Sequence, residues 1–141
     1  MRPAIRFACS FFLFLVSAGV LADKPVAPDE VAGATLVDAE QVIELVQNQP
    51  DLLLLDSRRA EEFAKGHIEG ALNLMDLDMT EQGLAELAQS KQRPLLFYCN
   101  GPRCLRSSNA AKLALGWGYT KIYWFRGGWM AWTEKQYPVA Y

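Results

Sequence analysis

The sequence predicts an α/β domain built on a parallel sheet with helices on both faces. Three observations carry this. Leu52-Leu53-Leu54-Leu55, Leu95-Leu96-Phe97-Tyr98 and Ile122-Tyr123-Trp124-Phe125 are short, continuous apolar runs rather than alternating ones. A strand that reads this way is covered on both faces, as in a parallel sheet. Segments of helical character separate the runs, the alternation that gives sheet-plus-helix layers. Finally, Cys99 follows directly on Tyr98. It therefore stands at the carboxyl end of a strand, where the ligand sites of open α/β sheets lie.

Each element has its own signal. Residues 23–34 are a polar, proline-marked lead-in. Asp38 followed by Gln41 has the form of a helix N-cap with its capping-box partner, and Val42, Ile43, Leu45 and Val46 supply an apolar face. Asn48-Gln49-Pro50 stops that helix before the Leu52–55 strand. Glu61-Glu62-Phe63-Ala64 predicts a short helix ending near Gly66, and Ala71-Leu72-Asn73-Leu74 a second strand. A helix follows around residues 81–88, then the strand before Cys99. The loop Cys99-Asn100-Gly101-Pro102-Arg103-Cys104-Leu105-Arg106-Ser107-Ser108 leads into a helix beginning at Asn109. Gly127-Gly128 separates the last apolar strand from a short helix over Trp129-Met130-Ala131-Trp132. Without repeats, low-complexity tracts or an internal boundary, residues 35–141 read as one domain.

The first 22 residues read as a signal peptide rather than as part of the fold. Arg2 and Arg6 form a basic start, residues 7–21 are nearly all apolar, and Val20-Leu21-Ala22 has the small-residue cleavage pattern, with Asp23 as the new N-terminus. The apolar run is shorter than the roughly 20 residues of a spanning helix. An uncleaved anchor is the competing reading. The expectation is export, periplasmic or secreted after cleavage near Ala22, with no stable membrane insertion afterwards. Cleavage removes two basic and no acidic residues from a chain whose net charge is already −2. That balance argues against nucleic acid as a partner. It also removes Cys9, leaving Cys99 and Cys104, two thiols in one loop and too few for a disulfide scaffold.

The loop carries the chemistry. A thiol between a strand end and the first turn of the next helix sits where backbone N–H groups converge. Such a place favours thiolate over thiol and holds an anionic sulfur or phosphorus group beside it. Asn100, Gly101, Arg103, Cys104, Leu105 and Arg106 can offer backbone N–H groups to this cradle, whereas Pro102 cannot. Arg103 and Arg106 are candidates for pairing with substrate oxygens. Cys104, five positions from Cys99, is a candidate resolving or regulatory thiol if the two Cα atoms come within about 4.4–6.8 Å. Its bland alternative is a small residue filling the loop. His67, the only histidine, reads as structural, and Asp56 with Arg58 as an ion pair ordering a strand end, with a site role for Asp56 left open. The tryptophans read mostly as core. The sequence holds no metal-ligand cluster and no glycine-rich nucleotide loop, so no metal or cofactor is expected.

Taken together, Leu54-Leu55-Asp56-Ser57-Arg58, Glu62-Phe63 and Gly66-His67-Ile68-Glu69-Gly70-Ala71-Leu72-Asn73 resemble the N-terminal signature of rhodanese-like domains. Gly118-Tyr119 and Gly127-Gly128-Trp129-Met130-Ala131-Trp132 resemble their C-terminal signature, and Cys99 occupies the position of the persulfide-forming cysteine. The resemblance covers roughly residues 37–139. It implies a small doubly wound, three-layer fold with a central parallel sheet of about five strands. It also implies sulfurtransfer through a Cys99 persulfide, from thiosulfate or a persulfide donor to a thiophilic acceptor. The expected partners are a small anionic sulfur substrate and a thiol or thioredoxin-like acceptor.

The loop departs from the family pattern. Arg106 and Ser107 follow Cys99 by seven and eight positions, where many single-domain members place such a pair at five and six. The loop is thus two residues longer and has a second cysteine inside it. A phosphatase- or arsenate-reductase-like enzyme is one rival reading. A non-catalytic sulfur- or protein-binding module is another, and a Cys99–Cys104 thiol–disulfide switch a third.

Overall fold

The computed structural model describes residues 23–141, so the signal-peptide expectation for residues 1–22 lies outside it. In chain order the elements are β1 (Ala34–Leu36), α1 (Ala39–Asn48), β2 (Leu53–Asp56), α2 (Ala60–Ala64), β3 (His67–Ile68) and β4 (Leu72–Asn73). A 3-10 turn (Asp76–Asp78) leads to α3 (Glu81–Ala88), β5 (Leu95–Tyr98), α4 (Arg106–Gly116), β6 (Ile122–Phe125), α5 (Gly128–Glu134) and β7 (Val139–Ala140). The main sheet has five strands in the order β1-β6-β5-β2-β4, and every pairing in it is parallel.

The apolar runs are continuous because their alternate residues enter two different cores. Leu53, Leu55, Leu95, Phe97, Ile122 and Trp124 pack on one side against Leu84 and Ala88 of α3 and Ala110, Ala111 and Ala114 of α4. Leu54, Leu96, Tyr98 and Phe125 face the other side, with Ala39 and Val42 of α1, Ile68 and Trp132. Side chains of a strand point to opposite faces in turn, so both parities must be apolar in a central strand. Trp124 is fully buried, and its indole N–H donates to Ser107 Oγ at 3.0 Å. That bond satisfies the one polar atom of the largest core side chain and ties the start of α4 to the sheet.

The α1 cap agrees with its signal. Gln41 N–H donates to Asp38 Oδ1 and Asp38 N–H to Gln41 Oε1, both at 2.9 Å. Such a cap contributes about 1 kcal/mol. Thr80 Oγ1 caps α3 by accepting from Gly83 N–H at 3.0 Å.

Several expectations are corrected. Val46, expected on the apolar face of α1, is exposed, whereas Val42 on that face is fully buried. Helix α4 begins at Arg106 rather than Asn109, so Arg106, Ser107 and Ser108 form its first turn and the loop proper is shorter. Ser108 Oγ donates to Leu105 O at 2.8 Å, and such short-range bonding suits serines to a first turn. Strand β1 and the small antiparallel pair β3–β7 carried no readable pattern, being only two or three residues long. The polar lead-in also contributes to the core: Ala27 and Val31 are buried with the α3/α4 layer.

Candidate active site at the carboxyl end of β5

Asp56, Tyr98 and Phe125 are in register at the carboxyl ends of adjacent strands, so the loops that leave β2, β5 and β6 share one rim. The loop after β5 is sewn to the loop after β6. Trp129 N–H donates to Cys99 O at 2.8 Å, and Met130 N–H donates to Asn100 O at 2.9 Å. This approach explains Gly128. Its φ is +55°, and a Cβ there would overlap the Cys99 carbonyl oxygen. Glycine alone accommodates both the left-handed backbone and the contact.

Beneath this junction lies a buried polar cluster. Arg58 donates from Nε to Asp56 Oδ1 at 3.0 Å and from Nη2 to Asp56 Oδ2 at 2.6 Å, and Arg58 is only 2% exposed. The Tyr98 hydroxyl donates to Asp56 Oδ2 at 2.6 Å and accepts from Ile68 N–H at 3.1 Å. Burial and the neighbouring Asp56 carboxylate push the Tyr98 phenol far above its ordinary range. The Arg58 guanidinium also lies 4.4 Å from the centre of the Trp129 ring, a cation–π contact. Trp129 thus touches both the Arg58 guanidinium with its ring and the Cys99 carbonyl with its N–H. With its carboxylate occupied by Arg58 and Tyr98, Asp56 supports the site from below. His67 has its Nδ1 3.0 Å from Phe63 O and its ring stacked on Phe63.

Cys99 and Cys104 are joined by a disulfide, with Cα atoms 6.2 Å apart. Cys99 is only 1% exposed, while Cys104 is half-buried. Asn100, Gly101, Arg103, Cys104, Leu105 and Arg106 line one pocket of about 360 Å³ together with Pro25 and Met130. The loop residues singled out in the sequence thus converge on this pocket, whereas buried Cys99 is not among its lining residues and reaches it through its bond to Cys104. One member of the expected amide cradle is corrected: Cys104 N–H is spent inside the loop on Gly101 O, at 2.9 Å. The first-turn N–H groups of α4 have no intrahelical partner and carry the positive end of the helix dipole. Arg106 Nη1 lies 4.0 Å from Cys104 Sγ.

Three features of the site carried no functional signal in the sequence. Asn100 Nδ2 donates to Glu62 Oε1 at 2.8 Å, which fixes the residue after Cys99 to α2. Burial alone would raise the Glu62 carboxyl pKa. The Asn100 amide, the Arg59 N–H and the charges of Arg59 and Arg106 outweigh it and hold the carboxyl below its ordinary value. Met130 packs over Gly101. The lead-in closes the third side: Ala27 N–H donates to Pro102 O at 2.7 Å, and Arg126 donates to Pro28 O at 2.7 Å and Ala27 O at 3.0 Å.

Known proteins share this architecture and sequence. A sulfurtransferase from Allochromatium vinosum is 29% identical over 103 residues, covering 73% of this chain and 92% of that protein. The uncharacterized protein YibN of Escherichia coli K12 is 27% identical over 93 residues, and the match spans 65% of this chain and 63% of YibN. Among solved structures, the Alr3790 protein from Anabaena sp. superposes with a TM-score of 0.63 at 25% identity, covering 74% of this chain and 80% of that one. The family model for the rhodanese-like domain matches residues 38–135, from the N-cap of α1 to the residue after α5. With the five-stranded parallel sheet and a cysteine loop at the end of its central strand, that match makes this chain a member of the rhodanese-like domain family.

Proposed function

We propose that the protein is a sulfurtransferase in which reduced Cys99 carries sulfane sulfur as a persulfide. The observation that carries this reading is the position of Cys99. It ends the central strand, its carbonyl is pinned by Trp129, and its loop opens into the first turn of α4 beside Arg103 and Arg106. In this reading the Cys99 thiolate attacks the outer sulfur of thiosulfate. The Cys99 S–S bond forms, the donor S–S bond breaks, and sulfite leaves with the bonding pair. Loop amides of Asn100, Gly101, Arg103, Leu105 and Arg106, with the Arg106 guanidinium, bind the sulfonate and then the persulfide anion. The acceptor's nucleophile takes the outer sulfur and returns Cys99 as thiolate. No base is required, since the attacking group is already an anion.

The reading includes export, with residues 1–22 removed. Its support is the basic start and apolar run of that segment, together with a site disulfide of the kind that persists in oxidising compartments. No helix among the described residues is long and apolar enough to cross a membrane.

Intact-mass spectrometry of the reduced protein after thiosulfate tests the chemistry. The expected result is the gain of one sulfur atom on Cys104→Ser and none on Cys99→Ser. Failure of both Cys104→Ser and reduced wild type to gain sulfur or release sulfite would overturn it.

A further inference from the structure

The two sulfurs of the Cys99–Cys104 disulfide are not equivalent. Cys99 is 1% exposed and lies under the loop, whereas Cys104 forms part of the pocket wall. A thiolate breaks a disulfide by approaching one sulfur in line with the bond while the other leaves. Of the two, Cys104 is the one that lines the pocket from which a thiolate would come. The sulfur that leaves is then Cys99, which departs as a thiolate into the environment best suited to hold one, at the positive end of α4. Arg106, 4.0 Å from Cys104 Sγ, places a cation beside the attacked atom, where an incoming thiolate needs it.

The surroundings of Cys104 indicate the size of the reductant. Val26, Leu105 and Met130 are 54%, 37% and 63% exposed. Leu105 and Met130 line the pocket, and Val26 follows Pro25, which also lines it. A small polar thiol has no use for this apolar collar. A protein carrying its dithiol on an apolar face would cover it.

We propose that Cys104 is a resolving thiol that converts the sulfurtransferase into a reductase releasing hydrosulfide, and that a protein dithiol docked on this collar regenerates it. The proposal rests on the Cys99 persulfide reading above. The Cys104 thiolate, its proton having passed to solvent, attacks Cys99 Sγ of the persulfide. The Cys99–Cys104 bond forms, the bond to the outer sulfur breaks, and that sulfur leaves as sulfide and takes up a proton from solvent as HS⁻. The partner's thiolate then attacks Cys104 Sγ and expels the Cys99 thiolate. The partner's second thiol, losing its proton, attacks the mixed disulfide on the partner's own sulfur, and Cys104 leaves and takes that proton. Over one cycle thiosulfate and a dithiol yield sulfite, hydrosulfide and the partner's disulfide, so the two electrons come from the partner.

The test uses the reduced protein with stoichiometric thiosulfate and no other thiol, measuring sulfite, hydrosulfide and free cysteines. Wild type is expected to release both products and lose both thiols. Cys104→Ser is expected to release sulfite and keep its sulfur on Cys99. If wild type also keeps the sulfur, the resolving step is overturned while the persulfide reading survives. If neither protein yields sulfite, both fall. The docking step is tested on the oxidised wild type with a thioredoxin-fold dithiol protein as probe. Reduction at least ~10-fold faster than by glutathione at equal thiol concentration is expected, and Met130→Glu should abolish that advantage. Equal rates for protein and glutathione, or a mixed disulfide mapped to Cys99 when the probe lacks its second cysteine, would overturn this step.

Discussion

The carbonyl oxygen of Cys99 occupies the space a Cβ on Gly128 would need, so the loop that holds the cysteine and the turn before α5 are fitted to each other at a single atom. The next residue, Trp129, closes the fit by donating its N–H to that same oxygen. A glycine that reads in sequence as a turn marker is therefore a part of the site.

Gly128→Ala combines a left-handed backbone with an overlap that only a shift of the Cys99 loop relieves. The expected cost is about 2 kcal/mol or more in urea denaturation, with sulfur loading on Cys99 reduced as well. A variant as stable and as readily loaded as wild type would contradict the fit.

Tyr98→Phe removes a hydroxyl that serves both Asp56 and Ile68 N–H in a buried place. Each loses a partner that water cannot replace, and the expected loss is about 1–3 kcal/mol. The raised phenol pKa also has a sign. The protonated form is favoured in the folded state, so this stability is present below the ordinary tyrosine pKa of about 10 and is lost as pH rises above it. Wild type should therefore show an alkaline loss of stability that Tyr98→Phe lacks, measured as denaturation midpoint against pH.

Glu62 shows the opposite sign. Its carboxyl is held below its ordinary value, so its contribution is present above about pH 4.3 and disappears as pH falls through the lowered folded value. Glu62→Gln should be less stable than wild type near neutrality and converge with it in acid. Parallel midpoint curves down through the acid range would show that the Asn100 contact does not depend on the charge.

Arg106→Ala removes from the pocket wall a guanidinium that lies 4.0 Å from Cys104 Sγ. With thiosulfate the expected effect is a loss of about tenfold or more in kcat/KM, with Arg106→Lys recovering only part because the planar fork is absent. Arg103→Ala should cost less, since that side chain is exposed. Steady-state sulfite release measures both.

Much of this was legible in order along the chain. The apolar runs, the Asp38 cap, the helix over residues 81–88 and the cysteine at a strand end each depend on local chemistry and neighbours a few residues away. Six of the pocket residues were legible for the same reason, since they fall within one loop, whereas Pro25 and Met130 come from elsewhere in the chain. What was not legible depends on distant partners. Glu62 reads as a helix former until Asn100, 38 positions on, donates to it. The lead-in reads as polar and loose, yet Ala27 meets Pro102 and Arg126 reaches back 98 positions to Pro28. Strand β1 is three residues long and has no pattern of its own until β6 supplies its hydrogen bonds.

The layered α/β architecture and the loop that carries both cysteines were already legible along the chain. The first follows from apolar periodicity, and the second from two cysteines five positions apart just after a strand. Packing between distant segments brought the Tyr98 hydroxyl onto the Asp56–Arg58 pair that the sequence already suggested, and shaped Gly128 around the Cys99 carbonyl. It also buried Cys99 while leaving Cys104 on the pocket wall. Those are facts of burial and distance between segments far apart in the chain, and burial is a property of the packed whole that no local pattern contains.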